Sequence, residues 1–350
     1  MKLFNILFTL FGVVTVIFFL FQILPGDPAR MMMDQNEDVE QLEIIKKKYG
    51  FDEPILNQYL YYLNDLSIIS IHSKNPEKIN FIRENKYSFT KIYDFQNSTL
   101  VLKFPYLRES YQRRGVKVST IIMDTFPNTV VLAISSILFA TVFGLLLGIL
   151  SALYKETLFD NSIQLFSTFG MSMPSFLSSI IFAWIFGFVL ADITGLNMTG
   201  SLFELDDFGD EYRLELKNLI LPSIVLGIRP IAVISMMMRN SLIETLKKNY
   251  VITAYAKGLS KSEVILNHCL KNSLNPVITA LSGWFASLLA GSVFVEYIFG
   301  WNGLGREIVN SLNLLDVPVI IGAVIVVSFS FIMINIFVDY IYKFLDPRIS

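Results

Sequence analysis

The sequence predicts an all-α membrane protein with six transmembrane helices and a long external segment between the first and the second. Three observations carry that expectation. Hydrophobic residues make up 53% of the chain and the mean hydropathy is +0.54, above the roughly 45–50% apolar content of soluble domains. The apolar residues gather into runs near 3–24, 130–153, 163–190, 219–238, 277–295 and 317–338, each close to or above the ~20 residues a helix needs to cross a bilayer. The charges between the runs alternate in sign from one side to the other.

The first run, residues 1–24, begins with Lys2 and is longer than a signal-peptide core. It ends in Leu24-Pro-Gly-Asp-Pro28 rather than a small-x-small cleavage site, so it reads as an uncleaved first helix. Residues 25–125 form the external segment. Within it, 34–49 reads as a helix, with Asp34, Glu37, Asp38 and Glu40 early and Lys46, Lys47 and Lys48 in the last turn, the order the helix dipole favours. Residues 74–114 lack a clear period and read as loop with possible short strands. Residues 126–350 hold five helices and a polar segment over 240–275.

Orientation follows from the short loops. Arg239 to Lys271 carries six Lys/Arg against Glu244 and Glu263, whereas Ala191 to Asn218 carries seven Asp/Glu against Arg213 and Lys217. The positive-inside rule puts the first in the cytoplasm and the second outside. Lys2, Lys155, Lys343 and Arg348 agree with cytoplasmic termini and a short cytoplasmic turn between the second and third spans. Long loops cross largely regardless of charge, so the lysines of the external segment weigh little.

Several function classes drop out. The chain has no His-Glu-x-x-His, no Gly-x-Ser-x-Gly and no metal-ligand cluster, which removes the usual catalytic signatures. His72 and His268 fall on opposite sides of the membrane in this topology. Cys269 is the one cysteine, so no intrachain disulfide forms. Nothing points to nucleic acid or a cofactor. An ion-coupled secondary transporter usually keeps an acid or His inside the membrane. Here the spans as drawn hold only Arg229, with Glu296 and Asp339 just past span ends where water reaches them. The chain also lacks a Gly-x-x-x-x-Gly-Lys-Ser/Thr loop for ATP.

The polar stretch Tyr250 to Pro276 reads as helix, tight turn, helix. Ala254, Tyr255 and Ala256 precede Lys257 and Gly258. Gly258 suits the left-handed residue that ends a helix, and Ser260-Lys-Ser-Glu263 has the capping-box pattern that starts the next. Small residues on the first helix leave room for a close partner, although an ordinary cytoplasmic hairpin has the same composition.

Tyr250, Thr253, Ala254, Ala256, Lys257, Gly258, Leu259, His268, Leu270, Asn272 and Pro276 resemble the cytoplasmic coupling ("EAA") loop of ABC-importer permeases in the dipeptide/oligopeptide/nickel branch. Leu24–Pro28, Phe299-Gly-Trp-Asn-Gly-Leu-Gly-Arg306 and Asp346-Pro-Arg-Ile-Ser350 are similar to further motifs of that branch in the same order. Ile252 stands where the general loop signature has Glu, and its proline is displaced to Pro276. The external segment carries an apparent insertion near 70–112.

The resemblance implies a type I importer permease (MetI-like) fold in the cytoplasmic (inner) membrane. It implies pairing with a second homologous permease, two ABC ATPases below and an extracytoplasmic substrate-binding protein above, moving short peptides inward, or nickel or another small solute. It makes Tyr250, Thr253, Ala254, Ala256, Lys257, Gly258 and Leu259 the ATPase-coupling residues. Outside this class, the remaining alternative is a secondary transporter with an acid hidden at a span edge.

Other features read in two ways. Arg229, beside Pro230, is a cation lining the pathway, or a structural Arg paired with carbonyls or with the partner permease. Met171, Met173 and Met236–Met238 offer an adaptable surface, or packing and lipid contact. The acidic run Glu204, Asp206, Asp207, Asp210 and Glu211 docks a binding protein or is a solvated loop. Trp301, among Gly300, Gly303 and Gly305, is expected at headgroup level.

Overall fold

The computed structural model describes residues 2–23, 27–33, 39–76, 78–82, 88–206 and 209–345. Two compact units emerge, Met1–Asp124 with Ile308–Ser328, and Thr125–Glu307 with Phe329–Ser350.

In the first unit α1 (Lys2–Ile23) is followed by a single turn α2 (Pro28–Met31), then α3 (Val39–Tyr49) and α4 (Ile55–Leu66). Asp27 caps α2 by accepting from Ala29 N at 3.0 Å, with Pro28 at the first helical position, where its missing N–H is no loss. Of the helix expected over 34–49, residues 39–49 are helical; its early acids at 34, 37 and 38 lie outside the described residues, as do Leu24–Gly26 and the closing 346–350. Three strands follow, β1 (Ile69–Ser73), β2 (Phe89–Asp94) and β3 (Ser98–Lys103), in an antiparallel sheet of order β1-β3-β2. The stretch read as loop with possible strands is thus a sheet. Asn64 at the end of α4 clamps it, donating to Ile71 O at 3.0 Å and accepting from Ile71 N at 2.9 Å.

α5 (Val118–Leu153) begins in the first unit and runs on into the second. The second unit continues with α6 (Leu158–Ser172), α7 (Ser175–Trp184), a π-helical turn over Ile185–Val189, and α8 (Ala191–Thr194). A hairpin, β4 (Phe203–Leu205) and β5 (Tyr212–Leu214), precedes α9 (Lys217–Leu246). Its turn uses the acidic run locally: Asp206 accepts from Asp210 N at 2.9 Å and pairs with Arg213 at 3.7 Å, while Asp207 lies outside the described residues. Beyond α9 come α10 (Asn249–Ala256), α11 (Lys261–Glu263), a π-helical turn over Val264–Cys269, α12 (Leu270–Ser273), α13 (Asn275–Gly291), α14 (Val293–Phe299), α15 (Leu304–Asn313) and α16 (Val317–Leu345).

The fold is mostly helical, and the candidate spans take two forms. Four helices are long and apolar enough to cross a membrane unbroken, over Ile6–Ile23, Val118–Leu153, Lys217–Leu246 and Val317–Val338. Two bent pairs, α6 with α7 at 109° and Lys261–Ser273 with α13 at 50°, bring the number among the described residues to six if each pair is one span. Both breaks stand at prolines. Met173, before Pro174, is forced out of the helical region to φ −73°, ψ 129°, the usual restriction on a residue preceding proline. Pro276 opens α13. The run expected over 163–190 is therefore two segments rather than one straight rod.

In a membrane the hydrophobic effect does little between helices, so close packing must hold them. Gly144 and Gly148, one turn apart on α5, supply that closeness against α9. A Cβ on Gly144 would lie 2.8 Å from Ile234 Cβ, and one on Gly148 would lie 2.6 Å from Ser235 O. On α13 a Cβ at Gly283 would meet nothing within 4 Å. Gly148→Ala is expected to lower stability by about 1–3 kcal/mol through overpacking and Gly283→Ala to leave it unchanged or slightly raised. Thermal unfolding of the two purified variants checks this.

Candidate functional site

The hairpin that follows α9 is built from local chemistry outward. α10 closes on Lys257, and Gly258 takes φ +85° with open space around its Cβ position, a conformation side chains resist. Ser260 then caps α11: Glu263 Oε2 accepts from Ser260 N at 2.9 Å, and Ser260 Oγ accepts from Glu263 N at 3.4 Å. Asn272 Nδ2 donates to Tyr250 Oη at 2.9 Å, tying the start of the first helix to the end of the second arm.

The hairpin divides its residues between two faces. Val251 and Ala254 turn inward and pack with Val264 and Cys269, and these four share one core with Ile234, Met238 and Leu242 of α9 and Ala140 and Ala152 of α5. Ala254 thus belongs to the interior rather than to a partner-facing surface, because it lies one turn after Val251 on the side facing the second arm. Leu259 is half-buried against the same core. Tyr250, Ile252, Thr253, Tyr255, Ala256, Lys257 and Gly258 face outward. His268 is exposed, and Cys269 is a buried free thiol.

Below this core lies an ion pair that sequence reasoning passed over. Asp160, fully buried in the first turn of α6, receives Arg239 Nε at 2.7 Å and Nη2 at 2.6 Å. It also accepts from the Ser151 hydroxyl, from Glu156 N at 2.9 Å and from Gln164 Nε2 at 3.1 Å. Ends of α5, α6 and α9 therefore meet on one carboxylate, two turns before the hairpin. The signal was a lone acid at the head of an apolar run; its partner is 79 residues away and showed only as one of six cytoplasmic basic residues.

At the other acid the structure corrects two expectations. Glu296 is not reached by water; it is wholly buried. Its Oε2 accepts from Gly305 N at 2.6 Å and Arg306 N at 3.2 Å, and its Oε1 from the Ser292 hydroxyl at 2.7 Å, so it caps α15 with a charge of the favourable sign. Cβ atoms on Gly303 or Gly305 would fall 2.4 and 2.8 Å from that oxygen, which explains the glycines. Trp301 is likewise buried, with Nε1 donating to Asn128 O at 3.0 Å. It packs with Phe299, Leu132 and Val295 in the interior rather than facing headgroups.

Asp160 and Glu296 are each saturated with donors, while the side chain of Asp339, the other acid expected at a span edge, lies outside the described residues. Asp160 holds five hydrogen bonds, near the lone-pair capacity of a carboxylate, and Glu296 holds backbone and hydroxyl donors. Neither leaves room for a transported ion. Among the described residues no group of three or more His, Cys, Asp and Glu is placed to hold a metal.

Arg229 stands apart. It lies on the exposed side of α9 and makes no ion pair or hydrogen bond among the described residues. It is 17 residues before Leu246, about 26 Å along the helix, so it does not share a site with the hairpin. Met171, Met236 and Met237 are exposed, whereas Met238 is buried.

Residues 144–350 match the family described as binding-protein-dependent transport system inner membrane component, and residues 1–81 match the N-terminal region of such membrane components. The chain is 32% identical to the di/tripeptide transport system permease protein DppB of Pseudomonas aeruginosa, over 97% of this chain and 95% of that one. It is 30% identical to the dipeptide transport system permease protein DppB of Alkalihalophilus pseudofirmus, with the same coverage. It is also 30% identical to the glutathione transport system permease protein GsiC of Escherichia coli K12, over 99% and 97%. In fold it is similar to a chain of the inward-facing MetNI methionine ABC transporter, with TM-score 0.53 and 15% identity over 65% of this chain and 97% of that one.

Removing one partner of a buried ion pair leaves the other charge uncompensated. Asp160→Ala is therefore expected to cost about 3–5 kcal/mol. Asp160→Leu with Arg239→Met should recover most of that loss. Thermal unfolding of the single and double variants measures both, and equal loss in the two would contradict the assignment.

Proposed function

This chain belongs to the binding-protein-dependent transport system inner membrane component family, and on that basis we propose that it is a permease subunit moving di- and oligopeptides inward by alternating access. The observation that carries the reading is the hairpin fused to α9 through one core. A push on its exposed face is delivered to a membrane helix as a rigid-body movement. The chain has no nucleotide-binding loop of its own, so two ATPase subunits supply the energy. Tyr250, Thr253, Ala256, Lys257 and Gly258 contact the ATPase, while Ala254 and Leu259 hold the hairpin to the core behind them. A second, homologous permease completes the channel, and an extracytoplasmic binding protein delivers the substrate. Both termini are cytoplasmic. The peptide substrate is supported by the names of relatives similar along nearly their whole length.

Arg229 faces the pathway in this reading. An unpaired cation on a spanning helix needs water or an anion, and a peptide carboxylate is such an anion.

The test is uptake of a labelled dipeptide into vesicles carrying the assembled transporter. Gly258→Trp, which fills the open side of the turn, is expected to abolish ATP-dependent uptake while all subunits still co-purify; wild-type uptake would overturn the coupling role. Uptake that ignores ATP and follows an ion gradient would favour the secondary transporter instead. Arg229→Gln is expected to weaken apparent affinity for the peptide several-fold, and unchanged kinetics would remove Arg229 from the pathway.

A further inference from the structure

The sheet of the first unit is turned inside out. In an antiparallel sheet with one face in water, the apolar residues point to the core and the polar ones outward. Here the alternation is reversed. On β1, Ser70 and His72 are buried at 2% and 0% exposure, whereas Ile69 and Ile71 between them are 59% and 52% exposed. On β3, Thr99 and Lys103 are buried with Val101, and Leu102 is 46% exposed. Register puts Ile69 opposite Leu102 and Ile71 opposite Leu100, so these four form one continuous apolar face.

The buried polar side is largely hydrogen-bonded, although Asn80 Oδ1 beside it has no partner among the described residues. Ser70 Oγ and His72 Nε2 lie 3.0 Å apart, His72 Nδ1 meets Asn80 O at 3.1 Å, Thr99 donates to Asp94 at 2.6 Å, and Lys103 donates to Asp65 O. Burial lowers the His72 pKa, in keeping with a neutral ring. The inversion is therefore a stable arrangement whose outer face needs an apolar surrounding.

The position of α4 says what that surrounding is. α4 runs antiparallel beside the second half of α1. Gln22 pairs with Gln58, Phe18 stacks on both Tyr59 and Tyr62, and Thr15 Oγ1 lies 2.6 Å from Tyr59 Oη. Thr15 is eight residues, or about 12 Å of helix, inside the Ile23 end of a spanning helix. Val14, Phe18, Tyr59, Tyr62 and Ile321 of α16 form one buried cluster, with Leu63 and Leu66 against it. α4 thus descends alongside two membrane helices, and β1 starts three residues after its end. On the side away from α1, α4 exposes Ile55, Leu56 and Leu60. Ile68 and Phe104, 59% and 84% exposed, extend the apolar surface next to the sheet. On its other sides α1 exposes Val16, Leu20 and Ile23, so the apolar surface of α4 continues onto an exposed apolar surface of a candidate spanning helix.

We propose that α4 and the outward face of the β1-β3-β2 sheet, with Ile69, Ile71, Leu100 and Leu102, form a monotopic foot inserted into the leaflet at the Ile23 end of α1. On the orientation proposed above this is the outer leaflet. Burial of an apolar face at the headgroup–acyl boundary, with basic residues around it, is how interfacial elements bind membranes. Residues 70–117 hold ten Lys/Arg against four Asp/Glu; Lys103 is buried and Arg108 pairs with Asp65, and the net positive charge of the rest suits anionic headgroups.

The experiment places a nitroxide label at Ile71→Cys or Leu102→Cys in the assembled transporter, reconstituted in vesicles of zwitterionic and anionic phospholipid. Glu211→Cys, on the exposed turn before β5, is the aqueous control, and unmutated protein controls for the buried Cys269. Expected is a several-fold higher ratio of oxygen to nickel-chelate accessibility at 71 and 102 than at 211, the signature of a lipid-facing site. A ratio equal to that at 211 overturns the proposal. Protection of 71 and 102 from both reagents also overturns it and assigns the face to a protein partner. None of these outcomes depends on uptake, so the proposal and the peptide reading fail separately.

Discussion

A carboxylate withdrawn from water must be met by donors on every side, and the second unit is organised around two such demands. An isolated buried charge costs several kcal/mol even after relaxation. Asp160 meets the demand with a bidentate Arg239, two side chains and a backbone amide, and in doing so ties the end of α5 and the start of α6 to α9 seven residues before its end. Glu296 meets it with the amides that open α15, and so fixes the path of the glycine-rich loop and buries Trp301 behind it. The saturation that makes these residues structural is also what removes them from ion transport. An acid at a span edge is the natural place to look for a coupled proton or sodium ion, and Asp160 and Glu296 are already occupied.

The hairpin after α9 depends on the first of these anchors. Arg239 sits two turns before the end of α9, and Met238 and Leu242 lie in the core that holds the hairpin. Interiors packed to this density switch between arrangements rather than deform gradually. Displacement of Val251 or Val264 is therefore shared with Ile234 and Ala140. The exposed face and the core-packed face are the two sides of one eight-residue helix, α10.

What could be read in the sequence was set by the range of the interaction. Gly258 and the Ser260–Glu263 pair act over three residues, and their chemistry names the turn and the cap directly. The spanning runs were legible as composition. The 109° break announced itself only through Pro174, whose effect on Met173 is local while the angle depends on neighbouring helices. Glu296 looked accessible because its donors arrive from a loop that folds back onto α14. Ala254 looked like a contact residue because small size does not say which side of α10 faces the core. In the sheet the alternation Ile-Ser-Ile-His is present, but polar-in and apolar-out carries the same period as its reverse.

The turn at Gly258 has one further consequence. Its shape is held by a glycine dihedral, a reciprocal cap and the Tyr250–Asn272 clamp, all internal to the hairpin and complete without any partner. Docking onto such a surface orders little that was not already ordered at folding. On the coupling role proposed above, the conformational entropy that a floppy loop would lose on association is absent from the encounter, so engagement and release need only modest changes on the other side of the contact.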